Sequence, residues 1–335
     1  MGGERGMNRR KFLELSAAGS ALALGDGIAA PARAQGRARV VLVKTEEQRD
    51  GVARALRLLG AGGLSRRHVV VKPNFNSADP FPGSTHPDTL GALVEWLGAS
   101  GAARVTVADR SGMGVTRDVM EAKGVFAQGK KLGFAAIVLD ELPARDWIAS
   151  PLPGGHWSRG VLFPRLLEEA EAIVSTCALK THRFGGHFTL SLKNSVGAVA
   201  KYGPDGHNYM SDLHWSGAQR KMIAEINTLY RPALVLLDGL EAFVDGGPEA
   251  GPKVRPGVMI AGTDRVAVDA VGVAILRLYG TTRAVSTGKI WSLEQIARAV
   301  ELGVGVAGPA EIELVSDDAA GAEFLSRLKP ILLQG

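Results

Sequence analysis

The sequence predicts a three-layer α/β fold: a largely parallel or mixed sheet with helices on both faces. Three observations carry this. Short runs rich in Val, Ile and Leu alternate along the chain with longer stretches of helical periodicity. The runs are apolar at nearly every position, as in strands buried on both faces. Helical stretches between successive runs imply crossover connections, which join parallel neighbours.

In chain order, residues 40–43 read as a buried strand and Gln48–Leu59 as a helix with Val52, Leu56 and Leu59 on one face. His68–Lys72 is the next strand, followed by a Pro-, Asn- and Gly-containing loop over 73–84. Residues 85–98 read as a helix and 104–108 as a strand. Further strands are expected at 135–139, 172–175, 234–237, 258–261 and Ile312–Val315, and the clearest late helices at 266–279 and 293–302. There is no internal repeat and no long linker, so residues 35–335 read as a single α/β domain, with 143–164 as the only seam.

The 335 residues are 46% apolar and 22% charged, which excludes wholesale disorder. The 43 glycines follow no three-residue period, so they mark turns, not a collagen repeat. No apolar run approaches the roughly 18 residues of a membrane span. A single cysteine, Cys177, cannot supply the thiolates of an iron–sulfur cluster, so none is expected.

Residues 1–34 read as an export signal. Arg9 and Arg10 precede a weakly apolar, Ala- and Gly-rich stretch, and Ala32-Arg33-Ala34 forms a cleavage site before Gln35. This is the order of a twin-arginine signal, which implies passage through the twin-arginine translocase and a periplasmic protein without a stable membrane span. A basic amphipathic helix is the plainer alternative. Beyond residue 34 the chain holds 34 Lys/Arg and 31 Asp/Glu, a net +3. No basic block is interleaved with aromatics, so a nucleic-acid partner is not expected.

In α/β sheets ligands bind beyond the carboxyl ends of the strands. Polar residues follow several predicted strands directly: Lys72-Pro73-Asn74, Asp109-Arg110-Ser111, Lys180-Thr181-His182, Asp238-Gly239 and Asp264. Ser84-Thr85-His86-Pro87-Asp88 reads as a helix start with Thr85 as N-cap and Asp88 three residues on, which leaves His86 unexplained. Lys180, His182, His187, Lys193 and Asn194 form the densest polar set. Thr189–Lys193 fits either a strand or the first turn of a helix, and a solvated basic loop accounts for it equally well. His207 lies in a Gly- and Pro-rich stretch where a solvated surface histidine is the simpler reading. No phosphate-binding G-x-x-x-x-G-K-[ST] loop and no G-x-S-x-G elbow occurs.

The ordered set Val70-Val71-Lys72-Pro73-Asn74-Phe75, Thr85-His86-Pro87, Leu179-Lys180-Thr181-His182, Thr189-Leu190-Ser191-Leu192-Lys193-Asn194, Gly247-Pro248 and Ala261-Gly262-Thr263-Asp264 with Val268-Asp269 resembles the bacterial domain of unknown function 362 family, over about residues 40–310. The resemblance implies one α/β domain. In many members it also implies an attached cysteine-rich, ferredoxin-like segment, which this one-cysteine chain lacks. It further implies one pocket. In it His86, His182 and Lys193 are expected as catalytic groups, and Lys72, Asn74, Lys180, Asn194 and Asp264 as ligand-binding groups.

The three lysines suit an anionic small molecule held by point charges. The histidines leave a divalent metal open, with His86, His182, His187, His207 and Asp238 as candidate ligands. The expected protein is therefore a periplasmic enzyme or cofactor-binding protein, or a non-catalytic carrier of an anion or metal ion.

Overall fold

The structure, a computed structural model, describes residues 37–334, so the expected signal lies outside the described residues. In chain order the strands are β1 (Ala38–Lys44), β2 (His68–Lys72), β3 (Arg104–Asp109), β4 (Ala135–Val138), β5 (Trp147–Ser150), β6 (Val161–Pro164), β7 (Ala172–His182), β8 (His187–Thr189), β9 (Leu234–Phe243), β10 (Lys253–Val254), β11 (Val258–Gly262) and β12 (Ile312–Val315). Eight follow one another across the sheet in the order β12-β1-β11-β9-β7-β2-β3-β4, with β8 added to β7 and β10 to β9.

The block β9-β7-β2-β3-β4 is parallel throughout. β11 runs antiparallel to both its neighbours, β9 and β1. The cause is the connection. Between β9 and β11 the chain spends its turn formers Asp245-Gly246-Gly247-Pro248 and Gly251-Pro252 on a hairpin carrying β10, with no crossover helix. Parallel neighbours would have needed that helix. The sheet is thus mixed and mostly parallel.

Side chains alternate between the two faces along each strand. Val41, Val43, Val69, Val71, Val105 and Val107 pack under the helices Gln48–Leu59 and Pro87–Ala99. Val40, Leu42, Cys177, Leu179, Val235 and Leu237 pack on the opposite side, under the helices Arg265–Leu278 and Ala319–Gln334. Every residue from Arg265 to Leu276 is buried, so that helix is the central rod of its layer. The seam at 143–164 folds into the two-stranded β5–β6 ribbon against the same body.

Two strands outrun their sequence signal. β7 continues through Lys180-Thr181-His182 and β9 through Asp238, and all four side chains are buried. Their polarity ends the hydropathy pattern before the strand itself ends. Among the described residues, no helix is long and apolar enough to cross a membrane.

Candidate functional site

The parallel strands β2, β3 and β7 bring their carboxyl ends together, and the first polar residues at those ends line one cavity. β2 contributes Lys72 with Asn74 and Asn76 beyond it, and β3 contributes Asp109 with Arg110 and Gly112 beyond it. β7 contributes Lys180 and His182. The tight turn at Gly185-Gly186 reverses the chain into β8, whose last residue, Thr189, also lines the cavity. One turn of helix, Ser191–Asn194, then adds Lys193 and Asn194. Thr189–Lys193 is therefore strand end followed by helix. The free space is about 40 Å³, roughly three water positions.

Two of the three lysines are spoken for. Lys72 is 1% exposed; its Nζ lies 2.6 Å from Asp109 Oδ1 and donates to the Pro73 carbonyl (2.8 Å) and Asn194 Oδ1 (3.3 Å). Asp109 also accepts from the Phe75 and Arg110 backbone N–H groups. Burial pushes the Lys72 ammonium down and the Asp109 carboxyl up, and the ion pair pulls both the other way. Gly197 permits this contact: a Cβ there would stand 2.7 Å from Lys72 Nζ and 2.8 Å from Asp109 Oδ1.

Lys180 Nζ donates to Asn74 Oδ1 (2.8 Å) and to the Pro82 and Gly83 carbonyls. Burial and the charge of Lys193 lower its pKa to about 7. The three oxygen acceptors favour its ammonium. Arg110, fully buried, is spread over the Val199, Ser111 and Val196 carbonyls.

Lys193 differs. Its Nζ has no hydrogen-bond partner among the described residues, and burial with the charge of Arg110 lowers its pKa to about 8. Beside it, His182 is 6% exposed and its Nδ1 is buried without a partner. Burial and the charges of Lys193 and Lys180 push the imidazole well below its usual range, so it is neutral at pH 7. Asn76 Nδ2 and Thr189 Oγ1 are buried and unpartnered on the same walls. Burial lowers the pKa of His214, on the helix Tyr209–Trp215, and the nearby charges of Lys193 and Arg110 lower it further. The lining carries Lys72, Lys180, Lys193 and Arg110 against Asp109 alone, a formal net of three positive charges.

The short helix bearing Lys193 is anchored from below. Asp269, buried in the helix Arg265–Leu278, accepts from the Ser191 N–H (2.8 Å) and the Leu192 N–H (3.0 Å). Asn227 Nδ2 donates to the Leu192 carbonyl (3.1 Å) and to Ser195 Oγ (3.1 Å).

Of the residues expected in one pocket, Lys72, Asn74, Lys180, His182, Lys193 and Asn194 come together and two do not. Asp264 sits at the opposite edge of the sheet, because β11 is antiparallel. There it caps the helix Arg265–Leu278, accepting from the Ala267 N–H (2.9 Å) and the Val306 N–H (2.9 Å). His86, not Thr85, is the N-cap of the helix Pro87–Ala99; its Nδ1 accepts from the Asp88 N–H (3.1 Å) and its ring meets Phe81 edge-on. Thr85 instead braces the site's loop, exchanging hydrogen bonds with Asn74.

The remaining metal candidates are dispersed. His187 lies opposite His182 in the β7–β8 ribbon but does not line the cavity. His207 is paired with Asp212 (2.8 Å). Asp238 accepts from Thr89 Oγ1 and the Leu240 N–H inside the sheet. Among the described residues, no three His, Cys, Asp or Glu side chains are grouped to hold a metal ion. The cavity's donor set, three lysines and an arginine, does not fit a cation. Asp109 and Arg110 follow a predicted strand directly but are not among the expected site residues. Thr189 and Asp269 are legible only as members of the family motifs, and Asn76 carries no signal beyond position.

A family model described as "Domain of unknown function (DUF362)" matches residues 69–274. No curated protein matches the sequence. Among solved structures, the chain is similar to the lactate racemase apoprotein from Thermoanaerobacterium thermosaccharolyticum, at 18% identity and a TM-score of 0.45. That likeness covers 73% of this chain and 58% of the other, less than two thirds of its length.

Proposed function

We propose that this chain, which belongs to the domain of unknown function 362 family, is a periplasmic enzyme that binds a small carboxylate or phosphate and moves a proton on it. One observation carries the reading. Among the described residues Lys193 Nζ has no hydrogen-bond partner and His182 Nδ1 is buried without one; a cation and a neutral base, they line the same cavity in a wall of net positive charge.

In this reading Lys193 holds the ligand's negative charge as an unpaired ammonium. Lys72, Lys180 and Arg110 supply the field from fixed positions. Asn76 Nδ2 and Thr189 Oγ1 orient the ligand's oxygens, which meets their own unpaired hydrogen-bonding capacity. His182, kept neutral by burial among cations, accepts and returns the proton. The export part of the proposal rests on Arg9, Arg10 and the Ala32-Arg33-Ala34 site.

Calorimetric titration with acetate, glycolate, phosphate and sulfate, with Lys193→Ala alongside, tests binding. The expected result is saturable binding weakened about ten- to a hundredfold in the variant, the worth of one charge-assisted hydrogen bond. Deuterium exchange at the carbon beside a bound carboxylate, followed by proton NMR, tests proton transfer; His182→Gln should abolish exchange and keep binding. Binding with no exchange across the panel would leave a non-catalytic anion carrier. Binding indifferent to Lys193 would end the reading.

A further inference from the structure

The cavity contains an amine that the fold itself does not use. Lys72 and Lys180 each make three contacts to oxygen, whereas Lys193 makes none among the described residues. A Cβ placed on Gly186 would lie 2.7 Å from Lys193 Cε and 3.0 Å from His182 Nδ1, so the lysine stem and the imidazole flank one point. The charges that act on these two groups are cationic, Arg110 on Lys193 and Lys193, Lys180 and His214 on His182, while the cavity's carboxylate, Asp109, is paired with Lys72. An amine crowded by fixed cations in a desolvated pocket is one of the ways a lysine becomes nucleophilic.

We propose that Lys193 forms an imine with the keto carbon of a small 2-oxo acid, a narrower substrate class that rests on the anion reading above. The neutral amine adds to the keto carbon. A C–N bond forms while the C=O π pair moves to oxygen. His182 Nδ1 takes the proton from nitrogen and returns it to that oxygen, giving a carbinolamine. The C–O bond then breaks and the oxygen leaves as water with a second proton. That proton is the one lost to solvent when the resting ammonium became the amine, now returned through His182 Nδ1. The iminium remains, and nothing is oxidised or reduced. The substrate's carboxylate faces the unpartnered Asn76 Nδ2 and Thr189 Oγ1 in the field of Lys180 and Arg110. The small free space, about 40 Å³, restricts the class to its smallest members, keto acids of two or three carbons. With its pKa near 8, roughly a tenth of Lys193 is free amine at pH 7, against under a thousandth for an ordinary lysine.

The test incubates the protein with pyruvate or glyoxylate and borohydride, with lactate as the carbonyl-free control, and reads intact mass and the modified peptide. The expected product with pyruvate gains the mass of pyruvic acid less one oxygen atom, on Lys193. It is absent with lactate and lost in Lys193→Arg, whose fold is checked by thermal melting. Mapping on the unaltered protein decides the matter even if a variant misfolds. An adduct on Lys180 or scattered over surface lysines overturns the proposal. So does pyruvate that competes with phosphate in the titration yet is never trapped, an outcome that leaves the anion reading standing. Absence of any anion binding removes both.

Discussion

Asp269→Asn is the sharpest probe of how the Lys193 helix is held. Two effects compete at Asp269. The Ser191 and Leu192 N–H groups favour its carboxylate, and burial in the apolar layer of the helix Arg265–Leu278 disfavours it. Burial wins, raising the carboxyl from 3.8 to about 7. A group whose folded pKa is raised contributes its stability in full below the unfolded value and loses it as pH climbs through the folded value. The native protein therefore gives up about 4 kcal/mol at this position between pH 4 and 8, of which roughly 2–3 kcal/mol falls between pH 5 and 8.

Asparagine does not titrate, but its Oδ1 can keep only one of the two N–H bonds and its Nδ2 is a donor facing the other, a pH-independent cost of about 1–3 kcal/mol. Relative to the native chain, and on top of that constant cost, the variant should gain about 2–3 kcal/mol between pH 5 and pH 8. Urea unfolding of both proteins at the two pH values measures it, and the other titrating groups cancel in the difference. A difference independent of pH would refute the reasoning. One that moves the other way would show that the two N–H donors outweigh burial.

Lys72→Met strands the buried Asp109 carboxylate and should cost about 3–5 kcal/mol in urea unfolding; a loss under about 1 kcal/mol would mean the pair is not formed. Gly186→Ala puts a methyl group against Lys193 Cε and His182 Nδ1. It should leave the melting temperature nearly unchanged while weakening phosphate or acetate binding in calorimetry, and unaltered binding would take those two side chains out of the site. Replacing Arg9 and Arg10 with Lys should block export, and the exported protein should begin at Gln35 on N-terminal sequencing; periplasmic double-Lys protein would exclude the twin-arginine route.

Local pattern alone determined the layered architecture. Fully apolar runs such as Val69-Val70-Val71 admit only strands covered on both faces, and the first polar residues after them mark the sheet's functional edge. Lys72, Lys180 and His182 were legible for that reason, and Lys193 and Asn194 only through the dense polar set over 180–194 and the family motif that ends on them. Strand direction was not. β11 is reversed by a connection without a helix, and this carries Asp264 to the far edge although it follows a strand as directly as Lys72 does. Nor does sequence say which polar groups neutralise one another. His86 is absorbed by a helix cap, and Lys72 and Lys180 by oxygens from distant loops. Lys193 and His182 are left facing the cavity. Those pairings join residues up to 122 positions apart, as in Lys72 with Asn194. They exist only once the sheet has assembled, because a hydrogen bond is set by separation in space and not along the chain.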